Sequence, residues 1–409
     1  MNTTKTQNTL KLGGFCALLG LVAVTILWLF LKILSSGTAL LWDILPEHLA
    51  VPWYPIIICT LGGLITGLFR KKFGDYPETL DVVMGKIKTQ KTYQYKNMAV
   101  MIIGALLPLL AGSSIGPEAG MTGIIAGLCY WVGNNVKFAK NNSKEYTEIG
   151  TAVTLGILFH SPLFGIFAVE EDPDETVPSI TKGNKIFLYG LAIAGGTAGY
   201  MALNRLFGPP MSGFPSLENI AQPSTKDYMM IVIYICAGII LALIYQLSHK
   251  VTDKLGQIVP PVASETLAGL CLGAVALVVP AVLFSGEEEM AHIMDTYSGY
   301  MPWMLLLISI LKIIMTNVCI NLGLKGGHFF PLIFAGLCGG FAIAMFAGCD
   351  IVLGATVVTA ALLGSIMRKP VAVTMLLFLC FPVKMFVWIF VAAVIGSKIF
   401  SIGSRQATV

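Results

Sequence analysis

Two stretches of this chain set polar and flexible residues inside apolar sequence, and both have the makings of an anion site. Residues 111–120 read AGSSIGPEAG, between LPLL and MTGIIAGL, and residues 323–336 read GLKGGHFFPLIFAG. Gly112 and Gly116 admit backbone geometries that other residues resist, and Pro117 suits the first turn of a helix. The pattern predicts an unwound turn over 112–116 and a helix over 117–131 that starts within the apolar region. The first N–H groups of such a helix have no acceptor of their own and carry the positive end of its dipole. That is a place for an anion without any Lys or Arg. Ser113 and Ser114 add hydroxyl donors to the backbone of Ile115, Gly116 and Pro117. In the second stretch Gly326 and Gly327 loosen the chain, Pro331 restarts a helix, and His328, Phe329 and Phe330 bring their N–H groups to the break. Two such helix starts meeting would form one electropositive spot, binding an anion weakly enough to release it. The plainer reading of the first stretch is a kinked structural helix with a serine cap.

Carboxylates and histidines near these breaks supply candidate proton chemistry. Glu118 follows Pro117; it either faces the anion pathway as a gate or merely complements the helix dipole. Glu170 and Glu171 close the apolar run FGIFAVEE, as functional acids near the membrane or as a wet helix end. His328 is either a titratable neighbour of the pathway or a side chain satisfied by the broken backbone. His160, before Ser161-Pro162, reads as structural. Lys312 and Lys384 interrupt apolar runs, and snorkelling to the interface is the expectation for both. The nine Cys contain no CxxC pair and lie mostly in apolar runs, so they read as small buried hydrophobes. No disulfide, metal site or cofactor is expected. An intramembrane enzyme with Ser113 or Ser114 as nucleophile and His160 or His328 as base is a reading from another class. It lacks a third group to orient the base. A membrane receptor or scaffold is a further class, which the broken helices oppose.

The elements that must position these residues are membrane helices. The chain has 409 residues, 56% of them hydrophobic and 12% charged, and its mean hydropathy is +0.80. A soluble domain carries roughly 25% charge. Apolar segments fall near 13–35, 53–69, 98–111, 119–136, 186–204, 228–247, 263–284, 301–323, 329–348, 351–366 and 371–400. Several are shorter than the ~20 residues that span a bilayer core, and such interruptions survive only where the backbone is buried in protein or lines a polar cavity. The net charge of +4 sits in short loops and does not suit nucleic-acid binding. Arg70, Lys71, Lys72, Lys86, Lys88, Lys91 and Lys96 mark 70–96 as cytoplasmic, with the N-terminus. Residues 36–52 and 285–300 carry acids and no Lys or Arg, and are expected outside; Lys250 and Lys254 place 249–258 inside. The first apolar run has no A-x-A-like cleavage site and reads as a span. The halves, about 50–205 and 228–400, echo each other weakly: TAVTLGILFHSP at 151–162 against TVVTAALLGSIMRKP at 356–370. Each follows a Gly break by a similar interval, as in an internal repeat with its binding site at the repeat interface. One transmembrane domain over 1–409, without a soluble C-terminal domain, is the expected organisation.

This layout resembles the CLC family of chloride channels and chloride/proton exchangers. The family has a G-[KR]-E-G-P break, later N-x-P-L-x-G-x-x-F-x-x-E-E, and later G-G-x-F-x-P. Here SSIGP, HSPLFGIFAVEE (160–171) and GGHFFP (326–331) follow in the same order. The stretches LLLISILKIIMTNVCINLG and, more loosely, LFSGEEEM (283–290) are similar to family segments too. The likeness covers roughly 50–400 and is nearest to a divergent bacterial branch, the YfeO-like group of ion-transport proteins, whose break reads G-P-E. It implies an all-α polytopic membrane protein of CLC architecture with broken helices and two inverted-topology repeats. It also implies a homodimer in the inner membrane with one anion pathway per subunit. By the same likeness the gating Glu is replaced by Ile115, with Glu118 displaced beyond the Pro, and Glu171 matches the internal proton acceptor. The family's G-S-G-I-P-E appears only as FGDYPE (73–78), with Gly74 at the chloride-coordinating Ser. Lys384 or Phe381 falls near the coordinating Tyr. Ile115 favours uncoupled, channel-like passage of a small anion, chloride first. Glu118 with Glu171 favours proton-coupled antiport of chloride or fluoride.

Overall fold

The computed structural model describes residues 3–49, 51–76, 78, 82, 97–135, 143–159, 161–170, 182–210, 215–217 and 224–406. Almost all of them are helical. The order is α1 (Thr3–Thr38, continuing through a wide π-type turn to Leu49), α2 (Tyr54–Phe73), α3 (Met98–Leu110), α4 (Glu118–Asn135), α5 (Ser143–Leu158), α6 (Pro162–Glu170) and α7 (Lys182–Phe207). Then follow α8 (Thr225–Met229), α9 (Ile231–Ile258), α10 (Pro261–Ala276), α11 (Glu287–Thr296), α12 (Pro302–Asn321), α13 (Phe329–Ala347), α14 (Ile351–Met367), α15 (Pro370–Leu377) and α16 (Phe386–Gln406). The stretches 13–49, 231–258, 302–321 and 329–347 are long and apolar enough to cross a membrane. Shorter apolar helices, such as Met98–Leu110 and Ile351–Met367, fit a fold in which broken helices reach only part way.

The chain divides into two compact units, each built from separated stretches. The first unit holds residues 1–37, 77–103 and 118–212. Its helices pack through small residues, which let backbones approach. Gly20 and Gly195 put α1 and α7 in direct backbone contact, and Gly165 does the same for α6 on α5. Phe159 and Phe164 close the α5–α6 corner edge to face, with ring centroids 4.9 Å apart. Trp28 Nε1 donates to Asn204 Oδ1 at 2.8 Å, tying α1 to the end of α7.

The second unit holds residues 38–76, 104–117 and 213–409, and the candidate site lies within it. Gly63, Gly269 and Gly273 set α2 directly against α10. Gly336 and Gly340 set α13 against Thr359 and Ala355 of α14. Ser309 of α12 donates to the Ala335 carbonyl of α13 at 2.6 Å. A polar seam joins α9 to α12: Asn317 donates to the Tyr245 carbonyl at 2.9 Å and to Ser248 Oγ at 2.7 Å. Hydrogen bonds of this kind between membrane helices are worth about 0.6–2 kcal/mol.

Candidate functional site

The first break begins where Pro108, inside α3, disrupts the end of that helix. Gly112 then takes φ +76°, with the Trp42 indole packed where a Cβ would stand. Trp42 Nε1 donates to the Leu110 carbonyl at 3.0 Å. The Gly112 carbonyl accepts from Phe284 N–H at 3.0 Å. Phe284 is itself left-handed at φ 55°, a conformation that costs a non-glycine residue about 1–2 kcal/mol. Its ring meets Trp42 edge-on at 5.0 Å. Loop, tryptophan and phenylalanine thus brace one another behind the break.

The residues that follow are all buried. Ser113 Oγ has no hydrogen-bond partner among the described residues, although its side chain is 0% exposed. Such a group is costly unless something fills its need. Ser114 Oγ lies 3.2 Å from Thr316 Oγ1 of α12, and Thr316 in turn donates to the Lys312 carbonyl at 2.8 Å. Ile115 is fully buried and packs against Gly326, where an added Cβ would stand 2.5 Å from its Cδ1. Gly116 N–H donates to the Gly327 carbonyl and Gly327 N–H to the Gly116 carbonyl, each at 2.8 Å. This antiparallel bridge joins the two breaks.

The second break starts with Gly323 at φ +110°, against the side chains of Arg70 and Glu265. Arg70 Nη1 donates to Glu265 Oε1 at 2.5 Å and to the Gly323 carbonyl at 2.6 Å. Arg70 also pairs with Asp75, which holds Lys325 Nζ at 2.7 Å. This clip fixes the chain entering 326–328. His328 then takes the N-cap position of α13 without a capping hydrogen bond from its side chain, its ring centroid 4.7 Å from Phe329 and 5.9 Å from Tyr245. Tyr245 stacks in turn on His249 at 6.1 Å. The opening N–H groups of α13, at Phe329 and Phe330, are those a helix leaves without an intrahelical acceptor, and both residues are buried.

Several sequence expectations need correction against this geometry. The N–H groups of Gly116 and Gly327 each donate to the other's carbonyl rather than to a ligand, and Ile115 N–H is directed to the Ser113 carbonyl at 2.8 Å. Pro117 has no N–H and precedes a helix that runs over Glu118–Asn135, later at both ends than expected. Among the described residues, the buried Ser113 hydroxyl is a donor at the first break with no hydrogen-bond partner. Lys312 does not snorkel: it is 0% exposed. Lys384 is exposed and Phe381 buried. Glu118 is fully buried at the first position of α4, a helix of the first unit. Glu170 ends α6; Glu171 and His160 lie outside the described residues. Asp75, beside Gly74, is one half of the clip on Lys325, with no role foreseen from FGDYPE. Trp42, Phe284 and Thr316 were also missed. Only Thr316 had a sequence signal, standing one turn beyond Lys312 on the same helix face.

Buried helix starts, a polar break and apolar spans define a class: polytopic membrane proteins that move small ions through a protein interior. A family model described as voltage gated chloride channel matches residues 62–401, and the chain belongs to that family. It is 26% identical over 333 residues to a protein of Escherichia fergusonii named "Putative ion-transport protein YfeO", covering 78% of this chain and 75% of that one. A protein of the same name from Escherichia coli O7:K1 matches at the same identity and coverage. Among solved structures, the fold is similar to a CLC-type fluoride/proton antiporter, with TM-score 0.75, 19% identity, and 96% and 95% of the two chains covered. It is also similar to a slow cyanobacterial Cl−/H+ antiporter, with TM-score 0.76, 17% identity and 96% of each chain covered. The chain is thus an all-helical, membrane-spanning protein of an anion-transport family.

Proposed function

We propose that this protein carries a small inorganic anion, chloride first, by channel-like passage through a site formed by the Ser113 hydroxyl and the opening N–H groups of α13. The observation that carries the reading is the Gly116–Gly327 bridge. It sets the two Gly-broken segments against each other, which supports a common place for the donors of both. Neutral donors bind a partly dehydrated anion without trapping it. Ile115, apolar and buried beside that bridge, supports passage without a protonatable gate at its position.

A second reading, proton-coupled antiport of chloride or fluoride, is favoured by the buried carboxylate of Glu118 next to Pro117. In either case we place the protein in the inner membrane, N-terminus cytoplasmic, as a homodimer with one pathway per subunit. The test is anion efflux from proteoliposomes, comparing chloride, fluoride and nitrate while external pH is recorded. Flux without a pH drift supports the channel-like reading. A drift proportional to flux selects antiport, and no flux of any of the three ions overturns both.

A further inference from the structure

We propose that Lys312 is the fixed counter-charge of the transported anion, held back from the ion by a cage of backbone carbonyls. This rests on the reading of the breaks as an anion site.

Lys312 stands in the middle of α12, a membrane-spanning helix, and is 0% exposed. Its Nζ, with three N–H groups to give, lies within hydrogen-bond distance of four consecutive carbonyls: Ala281 at 3.2 Å, Val282 at 3.3 Å, Leu283 at 2.7 Å and Phe284 at 2.9 Å. The Phe334 ring of α13 lies 5.3 Å from the ammonium. Every one of these partners is neutral. No carboxylate pairs directly with Lys312 among the described residues. Glu289, half-buried in the first turn of α11, is near enough for its charge to act on it. Burying an ammonium without an opposite charge in contact is costly, and an intramembrane cation calls for a partner.

The position of the ammonium says what that partner is. Phe284, whose carbonyl it holds, donates its own N–H to the Gly112 carbonyl at the back of the first break. The Lys312 carbonyl accepts from Thr316, which contacts Ser114. Phe334 belongs to α13, the helix that opens at the second break. Lys312 is therefore one connection away from each of three elements that meet at the site. Its carbonyl cage occupies the ammonium's donors, so the lysine attracts an anion through space without binding it. A unit charge roughly 10 Å from the ion changes its affinity by about tenfold at an effective dielectric constant of about 20.

The test uses half-saturation of chloride and fluoride flux in proteoliposomes of the full chain. Lys312→Gln keeps neutral donors for the carbonyls and removes the charge; Lys312→Arg keeps the charge. Half-saturation is expected to rise about tenfold in Lys312→Gln and to stay closer to wild type in Lys312→Arg, and the reverse order overturns the proposal. A Lys312→Gln protein indistinguishable from wild type also overturns it, leaving the lysine as a tie for residues 281–284. Should the lysine variants fail to fold, Glu289→Gln, with the lysine intact, decides. Removing that carboxylate should tighten the half-saturation severalfold, and an unchanged value overturns the proposal. A wild type that carries neither ion overturns this inference and the anion-site reading together. A wild type that carries one, unmoved by these variants, overturns this inference alone.

Discussion

Gly116 and Gly327 exchange backbone hydrogen bonds in both directions at 2.8 Å. Through them, two helix breaks far apart in sequence become a single piece of backbone. The fit is tight around this pair, because Ile115 fills the space that a side chain at position 326 would need.

That fit gives the first prediction. Gly326→Ala drives a methyl into Ile115, and overpacking of this kind costs about 1–3 kcal/mol. If the strain falls on the bridge, flux should drop by about tenfold. The double variant Gly326→Ala/Ile115→Ala removes the collision and should recover most of it. Efflux assays on the three proteins check this; a double variant as slow as the single one would refute a steric origin.

Ser113 and Ser114 should separate. The Ser113 hydroxyl is buried without a partner among the described residues, so it is positioned to donate to an anion. Hydrogen bonds to charged groups are worth about 1.5–3 kcal/mol, and Ser113→Ala should raise the half-saturation about tenfold or more. Ser114 is engaged with Thr316, so Ser114→Ala should lower thermal stability and leave half-saturation nearly unchanged. Flux titrations with melting curves on both variants test the split.

Glu118 is expected to tune flux with pH. We propose that its ionised form hinders the anion and its protonated form does not. Wild-type flux should therefore rise as pH falls, and Glu118→Gln should be fast and nearly flat with pH. Identical profiles for the two proteins would remove Glu118 as a gate and direct attention to Glu171→Gln.

Asp227 should act on stability instead. It caps α8 with Ser224 and accepts the Asp350 N–H at 2.7 Å. The Asp350 N–H and then the Ser224 hydroxyl hold its carboxyl down at about 2, against about 3.9 in an unfolded chain. A depressed carboxylate stabilises fully above the unfolded value and loses that contribution as pH falls through about 4 toward 2. Asp227→Asn should melt well below wild type at pH 7 and close to it near pH 2. Parallel melting curves at the two pH values would refute the assignment.

The breaks themselves were legible because Gly, Ser and Pro act locally. AGSSIGPEAG and GGHFFP unwind about where their chemistry requires. Their partnership was not legible, since a bridge between Gly116 and Gly327 depends on how distant helices pack. The expectation that the Gly116 and Gly327 N–H groups face a ligand is corrected for that reason, since each donates to the other's carbonyl. Lys312 was misread through the same gap. Snorkelling suits a lysine near water, whereas the carbonyls of 281–284 that receive this one are brought to it by tertiary structure. The helix expected over 228–247 runs as α9 to Ile258. Its polar later turns are accommodated by the side chains of Asn317 and Asn321, through Ser248 and Thr252.

Trp42 leans its indole on Gly112 and meets Phe284 edge-on, at the back of the first break. Indole emission responds to the polarity and motion of its surroundings, so the chain carries a built-in optical reporter a few ångströms behind its candidate ion site. Replacing the other five of its six tryptophans by phenylalanine would leave Trp42 to be watched alone. Its emission should then shift as chloride or fluoride is titrated, giving occupancy in detergent without any measurement of transport.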